Sequence, residues 1–129
     1  MISEIVAPLI SGRKKEIVQQ YISELDNHIA DLKAGKAEKA LEIREFASLL
    51  HVHPVHLSNT IKEVTGQSSC SLYEERLVKI SKELLLTTTL SISQIAVQLT
   101  YDPSNFTKFF KHYTGTTPKK FREKHKGGY

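Results

Sequence analysis

The sequence has little that would serve a secreted protein or a membrane protein. Among its 129 residues there is one cysteine, Cys70, so no internal disulfide can form and a reducing compartment is expected. No apolar run approaches the roughly 18 residues that a membrane span requires, and no cleavable signal pattern follows Met1. We therefore expect a cytoplasmic protein that has no membrane association.

Motifs for catalysis and cofactor binding are also absent. There is no glycine-rich phosphate loop, no nucleophile elbow and no paired-acid motif, so we expect no enzymatic activity, no cofactor and no small-molecule site. The one metal-like spacing is the string of His51, His53 and His56. Zinc needs three or four converging ligands, and no Cys, Asp or Glu lies close in sequence to complete the set. We predict no metal site.

What the sequence does contain is one segment twice, offset by 49 positions and without a gap. Residues 46–66 align with residues 95–115, and the positions that agree are the apolar, proline and glycine positions, such as Pro54 with Pro103. The polar positions between them differ. We therefore expect two copies of one scaffold that present two different surfaces.

Each copy is predicted to form a helix, a tight turn and a second helix. In the later copy Ser91 and Gln94 have the spacing of a capping box, which starts the first helix, and Thr100-Tyr101 forms the turn. Asp102 is then the N-cap of the second helix, with a proline at its first position, and Gly115 lies just past its end. In the earlier copy His53 takes the N-cap position.

Apolar side chains at helical spacing define a buried face in each copy. The predicted face comprises Phe46, Ala47, Leu50, Leu57, Ile61 and Val64 in the earlier copy, and Ile92, Ile95, Ala96, Leu99, Phe106, Phe109, Phe110 and Tyr113 in the later one. Two packed helices joined by a short turn occur in many helical bundles. Duplication with varied polar faces favours instead the helix-turn-helix that places its second helix in the DNA major groove.

The later copy and the residues after it resemble the signature of the AraC/XylS family of bacterial transcription regulators. The matching positions, in order, are Ile95-Ala96, Phe106, Phe110-Lys111, Gly115, Pro118 and Phe121-Arg122. The earlier copy and the bridge between the copies look like the same family's first helix-turn-helix and linker helix, so that the resemblance covers about residues 41–123. The family usually has Gly-Phe where this chain has Thr100-Tyr101, and that turn is one residue shorter than the family's.

The resemblance implies an all-α protein with two helix-turn-helix subdomains, homeodomain-like, joined by a linker helix. We expect four segments: an N-terminal helical extension (1–40), the first helix-turn-helix (41–70), the linker helix (71–88), and the second helix-turn-helix with a C-terminal helix (89–126). Apolar spacing within the extension predicts a helix from about Arg13 to Lys33 that packs on the first repeat. A short helix interrupted near Pro8 is expected before it.

Charge is unevenly distributed along the chain, whose formal net charge is +4. Up to Thr65 there are eight lysines and arginines against nine acids; from Gly66 onward there are ten against five. The cations of the later half cluster on the second recognition helix and the tail, at Lys108, Lys111, Lys119, Lys120, Arg122, Lys124 and Lys126. We expect phosphate contacts there, the alternative being a solvated basic tail.

Base reading is expected from the exposed side chains near the start of each second helix. The predicted DNA-binding side chains of these two helices are Val55, His56, Ser58, Asn59 and Lys62 in the earlier copy, and Ser104, Asn105, Thr107, Lys108 and Lys111 in the later one. Asn59 and Asn105 are expected to hydrogen-bond adenine, Lys108 to hydrogen-bond guanine, and the Val55 methyl groups to pack on the methyl group of thymine. The alternative for each is ordinary exposed polar surface.

We predict a sequence-specific regulator that inserts two recognition helices into successive major-groove segments of double-stranded DNA, about one turn or 34 Å apart. The resemblance implies RNA polymerase as a further partner. One alternative is a protein-interaction module that kept the scaffold but binds DNA weakly, because the first recognition helix is nearly neutral. Another is a fragment of a longer regulator whose sensor lies upstream. A metal-dependent enzyme is a distant third.

Overall fold

The computed structural model describes residues 11–126, and all regular secondary structure in that range is helical. The helices are α1 (Gly12–Lys33), α2 (Ile43–Leu49), α3 (Pro54–Thr65), α4 (Ser69–Thr87), α5 (Ile92–Gln98), α6 (Pro103–Thr114) and α7 (Pro118–Lys126). The predicted all-α class is thereby confirmed. The short helix expected near Pro8 lies outside the described residues.

The repeat in the sequence is also a repeat in the structure. Helices α2 and α5 each have 7 residues, and helices α3 and α6 each have 12. Every helix of the first copy begins and ends 49 positions before its counterpart in the second. The turns match as well, because His51 and Thr100 have positive φ angles of 57° and 66°. Gly66 and Gly115 end the second helices in the left-handed region, at 77° and 79°, as predicted.

Local hydrogen bonds explain where the repeated helices begin. The predicted capping box of α5 is present: Gln94 N donates to Ser91 Oγ at 3.0 Å, and Ser91 N donates to Gln94 Oε1 at 2.8 Å. Glu42 and Glu45 form the equivalent box at the start of α2. Sequence analysis missed that box because glutamate is an unusual N-cap residue.

The chain forms two compact units, and their boundaries lie within α1 and α4. The first unit runs as far as His28 and continues with Leu41–Glu74. Its buried apolar side chains are Ile17, Val18, Tyr21, Leu25, Phe46, Ala47, Leu57, Ile61 and Leu72. The rings of Tyr21 and Phe46 meet edge to face with centroids 5.2 Å apart, which confirms that the N-terminal extension packs on the first repeat.

The second unit comprises Ile29–Ala40 and the described residues from Glu75 onward. Its buried apolar side chains include Ile29, Leu32, Leu77, Ile80, Leu84, Leu85, Ile95, Ala96, Leu99, Phe106, Phe109, Phe110 and Phe121. Phe110 and Phe121 meet edge to face at 5.4 Å. Gln98 Nε2 donates to the carbonyl of Lys33 at 2.7 Å. Lys33 is the last residue of α1, so this bond satisfies a carbonyl that has no partner within the helix.

Three predictions need adjustment. Tyr113 was expected in the buried stripe but is 40% exposed, because it lies in the last turn of α6; its ring is tilted against that of Phe109 with the centroids 5.2 Å apart. Leu50, Val64 and Ile92 are half-buried rather than core residues. The linker helix α4 begins at Ser69 instead of residue 71, since the Ser68 hydroxyl accepts from Ser71 N at 3.1 Å.

Candidate nucleic-acid interface

Helix α3 has one face in the core of its unit and the other in solvent. Leu57, Thr60 and Ile61 are buried. The predicted reading residues lie on the opposite side: Val55, His56 and Asn59 are exposed, Ser58 is half-buried, and Lys62 is exposed one turn further on. Val55 is 61% exposed, although it is aliphatic. The helix therefore presents the predicted side chains together on one surface.

The N-terminus of α3 is capped by an imidazole. His53 has extended backbone angles, and its Nδ1 atom accepts a hydrogen bond from Val55 N at 3.1 Å, with Pro54 at the first helical position. One nitrogen of His53 is thus occupied by the helix itself. Within residues 11–126, no group of three or more His, Cys, Asp or Glu side chains is arranged to hold a metal ion.

The formal charges of α3 are engaged within the first unit. Lys62 Nζ donates to the carbonyl oxygen of Gly66 at 3.1 Å, at the C-terminal end of the helix. Glu63 accepts from Lys14 of α1 at 2.8 Å. Lys62 and Glu63 are the two formal charges of α3 and have opposite sign, so the helix is nearly neutral. Its reading residues are a valine, a histidine, a serine and an asparagine.

Helix α6 repeats this arrangement with a different surface. Phe106, Phe109 and Phe110 are buried. The exposed face carries Ser104, Asn105, Lys108 and Lys111, with Thr107 half-buried beside them. Two lysines, at 108 and 111, project from this helix where α3 has Asn59 and Lys62. The second recognition helix is consequently more basic than the first.

The N-terminus of α6 is capped by a carboxylate. Asp102 Oδ2 accepts from Ser104 N at 3.2 Å, from Asn105 N at 3.3 Å and from the Ser104 hydroxyl at 2.6 Å. The Ser104 hydroxyl, followed by the Asn105 N–H, lowers the pKa of Asp102 below its ordinary value. Asp102 is thus ionised at neutral pH. Sequence analysis identified the cap but missed the bond to the Ser104 hydroxyl.

The basic extension of the interface lies in α7, where Lys119, Lys120 and Lys124 are exposed. Arg122 was predicted to contact DNA with them, and the structure gives it another role. Its guanidinium donates to the carbonyl oxygens of Leu85 at 2.9 Å, Leu90 at 2.6 Å and Thr88 at 3.3 Å. These carbonyls end α4 and form the link to α5, so Arg122 holds that link in place. Three of the five guanidinium N–H groups are engaged in this way, and the phosphate contact predicted for Arg122 stays a prediction.

Thr100 holds the turn ahead of α6 in an unusual backbone conformation. Its φ of 66° lies in the left-handed region, which a β-branched residue rarely adopts. The hydroxyl is buried and has no hydrogen-bond partner among the described residues. Tyr101 N nevertheless donates to the Ala96 carbonyl at 2.8 Å, as Val52 N does to the Ala47 carbonyl at 3.0 Å. The turn therefore has the geometry of its counterpart in spite of this residue.

Comparisons with known proteins agree with this geometry. A helix-turn-helix domain family model matches residues 46–124. The chain is 30% identical over 122 residues to the arabinose operon regulatory protein of Escherichia coli, across 94% of this chain and 38% of that protein. It is similar in structure to the C-terminal domain of AraT, a response regulator from Geobacillus stearothermophilus, with a TM-score of 0.73 and 29% identity, over 89% of this chain and 87% of that one.

The fold is also similar to that of the DNA-binding domain of AdpA, a global transcriptional factor solved in complex with a target DNA. The TM-score is 0.72 at 14% identity, over 84% of this chain and 94% of that one, and such a likeness supports the fold alone. The chain spans between 22% and 40% of the length of the curated relatives it matches. In the described range, no helix has both the length and the apolar composition to cross a membrane.

Proposed function

Because the chain belongs to the AraC-type helix-turn-helix family of transcription regulators, we propose that it binds double-stranded DNA sequence-specifically through α3 and α6. The observation that carries this proposal is the pair of repeated frames, which have equal helix lengths and matching turn φ angles. Each frame buries the apolar face of its second helix and leaves the N-terminal reading face in solvent. A second helix exposed in this way is the element that enters the major groove in helix-turn-helix proteins.

The two helices are proposed to contribute differently. The surface of α3 carries Val55, Ser58 and Asn59, and its one cation, Lys62, is offset by Glu63 at the next position, so most of its affinity is proposed to come from base contacts and from the backbone N–H groups at its start. The surface of α6 has Lys108 and Lys111, and α7 continues the positive surface with its exposed lysines. The second unit therefore supplies most of the phosphate contact.

A selection of bound sequences from random duplex DNA tests the proposal. We expect two enriched half-motifs, one for each recognition helix. Asn59→Ala should lose discrimination at one half-motif by about 1 to 3 kcal/mol, and Lys108→Ala should weaken binding to all sequences more evenly. If Asn59→Ala weakens matched and mutated sites equally, α3 does not read bases.

Salt dependence gives a second test, which concerns the proposed phosphate contacts. Replacing Lys119, Lys120 and Lys124 together by alanine should flatten the plot of log affinity against log salt by roughly 0.9 per lost contact, with little change in sequence preference. The matched control replaces three exposed lysines outside the proposed surface, at Lys15, Lys36 and Lys79. Equal slopes for the two triple variants would place the phosphate contacts elsewhere.

RNA polymerase is proposed as the protein partner on the strength of family membership, and transcription assays on a selected site would show activation or repression. A protein-interaction module with weak DNA binding is the second candidate. It is favoured by the near-neutrality of α3, in which the formal charges of Lys62 and Glu63 are opposite. Selection that enriched no DNA sequence would favour this candidate and reject the first.

A further inference from the structure

The first exposed side chains of the two recognition helices differ in chemistry. Val55 and Ser104 occupy the same position of the repeat, immediately after the proline at the start of α3 and of α6. Val55 offers only methyl groups, whereas Ser104 offers a hydroxyl. A free serine hydroxyl is ambiguous in base reading, because it can donate or accept and rotates to suit its partner.

The Ser104 hydroxyl is not free to rotate in this way. Its oxygen lies 2.6 Å from Asp102 Oδ2. An ionised carboxylate has no proton to donate, so the hydroxyl proton must lie between the two oxygens and point towards Asp102. The distance falls in the range of strong, charge-assisted O–H···O⁻ bonds. The lowered pKa of Asp102 agrees with this assignment, because its first cause is the same hydrogen bond.

Towards solvent, Ser104 therefore presents only the lone pairs of its oxygen. All three hydrogen bonds to Asp102 end on Oδ2, so the second carboxylate oxygen adds another acceptor next to the serine. In the major groove, adenine N6 and cytosine N4 carry donor amino groups, whereas guanine O6 and thymine O4 are acceptors. A side chain that can only accept forms a hydrogen bond with the amino group of adenine or cytosine. Against guanine O6 or thymine O4 it has no proton to donate, and its lone pairs stay unsatisfied.

We infer that Ser104 is a specificity-determining residue of α6 that reads the major groove only as an acceptor, and so selects A or C over G or T on the strand it contacts. The inference rests on the proposed DNA binding and gives it a chemical rule for one position. The repeat supplies the contrast. At the matching position of the first half-site, Val55 favours the methyl group of thymine and has no means of distinguishing amino from keto groups by hydrogen bonding.

Selection from random duplex DNA, carried out with the full chain and with Ser104→Ala, identifies the base pair that Ser104 is proposed to contact. In the variant, one position of one half-motif should lose its preference, and in the preferred pair at that position the base with the major-groove amino group is the proposed partner of Ser104. Ser104→Thr keeps the hydroxyl and should keep the preference. Val55→Ala should alter a position in the other half-motif. Ser104→Ala retains the backbone bonds to Asp102, and a thermal melt matching the parent's shows that the fold is kept.

A chemical probe then tests the amino group alone. At the located position, adenine is replaced by purine, or cytosine by 2-pyrimidinone, which removes the amino group and leaves the rest of the major-groove edge. Binding of the parent should weaken about threefold to tenfold, the value of one hydrogen bond, while Ser104→Ala should bind both duplexes equally. An equal loss in the parent and the variant overturns the inference, and so does a parent that binds both duplexes equally.

The same experiments separate this inference from the function on which it rests. Enriched half-motifs that Ser104→Ala leaves unchanged would reject the acceptor rule and leave DNA binding standing. A complete lack of enrichment with the parent protein would reject both.

Discussion

Replacing Thr100 with glycine should make the second unit more stable, although the substitution removes a side chain. Thr100 has a φ of 66°, and the left-handed conformation costs a residue with a Cβ atom roughly 1 to 2 kcal/mol. Its hydroxyl is buried without a partner among the described residues, which adds about 1 kcal/mol or more. Glycine has neither penalty, because it adopts positive φ readily and carries no polar atom.

Two effects oppose the gain. Glycine loses more freedom on folding, which costs about 0.4 to 1 kcal/mol, and the buried part of the threonine methyl group is worth about 0.8 kcal/mol. The net expectation is a stabilisation of about 1 kcal/mol, or an increase of roughly 4 °C in the melting temperature for a chain of this size. Thermal and urea unfolding followed by circular dichroism measure both quantities.

The repeat offers a matched control for this substitution. His51 has the equivalent position in the first copy, with a φ of 57°. Its side chain is exposed, and histidine tolerates the left-handed region better than a β-branched residue does. His51→Gly should therefore gain much less than Thr100→Gly. If the two variants gain equally, or if Thr100→Gly is no more stable than the parent, the strain assigned to Thr100 does not exist.

Three further predictions concern the scaffold. Phe110→Ala should cost about 3 to 5 kcal/mol and Ile61→Ala about 2 to 5 kcal/mol, because each leaves a cavity in a core, and parent-like melts would contradict the buried stripes. Arg122→Lys should cost about 1 to 3 kcal/mol of stability, since three separate guanidinium nitrogens bind the three carbonyls and lysine has a single nitrogen. The charge is kept, so the salt dependence of DNA binding should be unchanged. Asp102→Asn should make the free energy of unfolding less dependent on pH in acid. The pKa of Asp102 is lowered from 3.8, so the ionised carboxylate contributes fully to stability above that value and the contribution disappears as the pH falls below it. An acid limb identical in Asp102→Asn and the parent, measured by unfolding across that range, would show that this carboxylate is not the responsible group.

The parts of the fold that depend on neighbouring residues were predictable from sequence. Ser91 with Gln94, and Asp102 with the proline after it, mark helix starts because the capping side chain and the N–H it accepts from lie within three residues of each other. The exposed reading faces were predictable for a similar reason, since helical periodicity separates them from the buried stripes. Which bases these faces contact stays a prediction.

The parts that sequence analysis missed depend on residues distant in the chain. Arg122 lies in a run of cations, and its charge indicated phosphate, but its partners are carbonyls 32 to 37 positions earlier. A threonine rarely adopts a positive φ angle by its own conformational preference, and the geometry that α5 and α6 impose on the turn overrides that preference at Thr100. Neither outcome can be read from a local pattern.

The equal frames and unlike reading faces of the two copies have a consequence for how the protein would lie on a promoter. A symmetric dimer reads a palindrome and looks the same from either end, so it carries no information about which way a gene runs. Under the proposed function, one chain that bears a nearly neutral α3 and a basic α6 would read two dissimilar half-sites. Its binding site would then be asymmetric, and a single bound molecule would have one orientation along the chromosome. Duplication followed by divergence of the polar positions would thus give a repeated fold a binding site with a defined orientation.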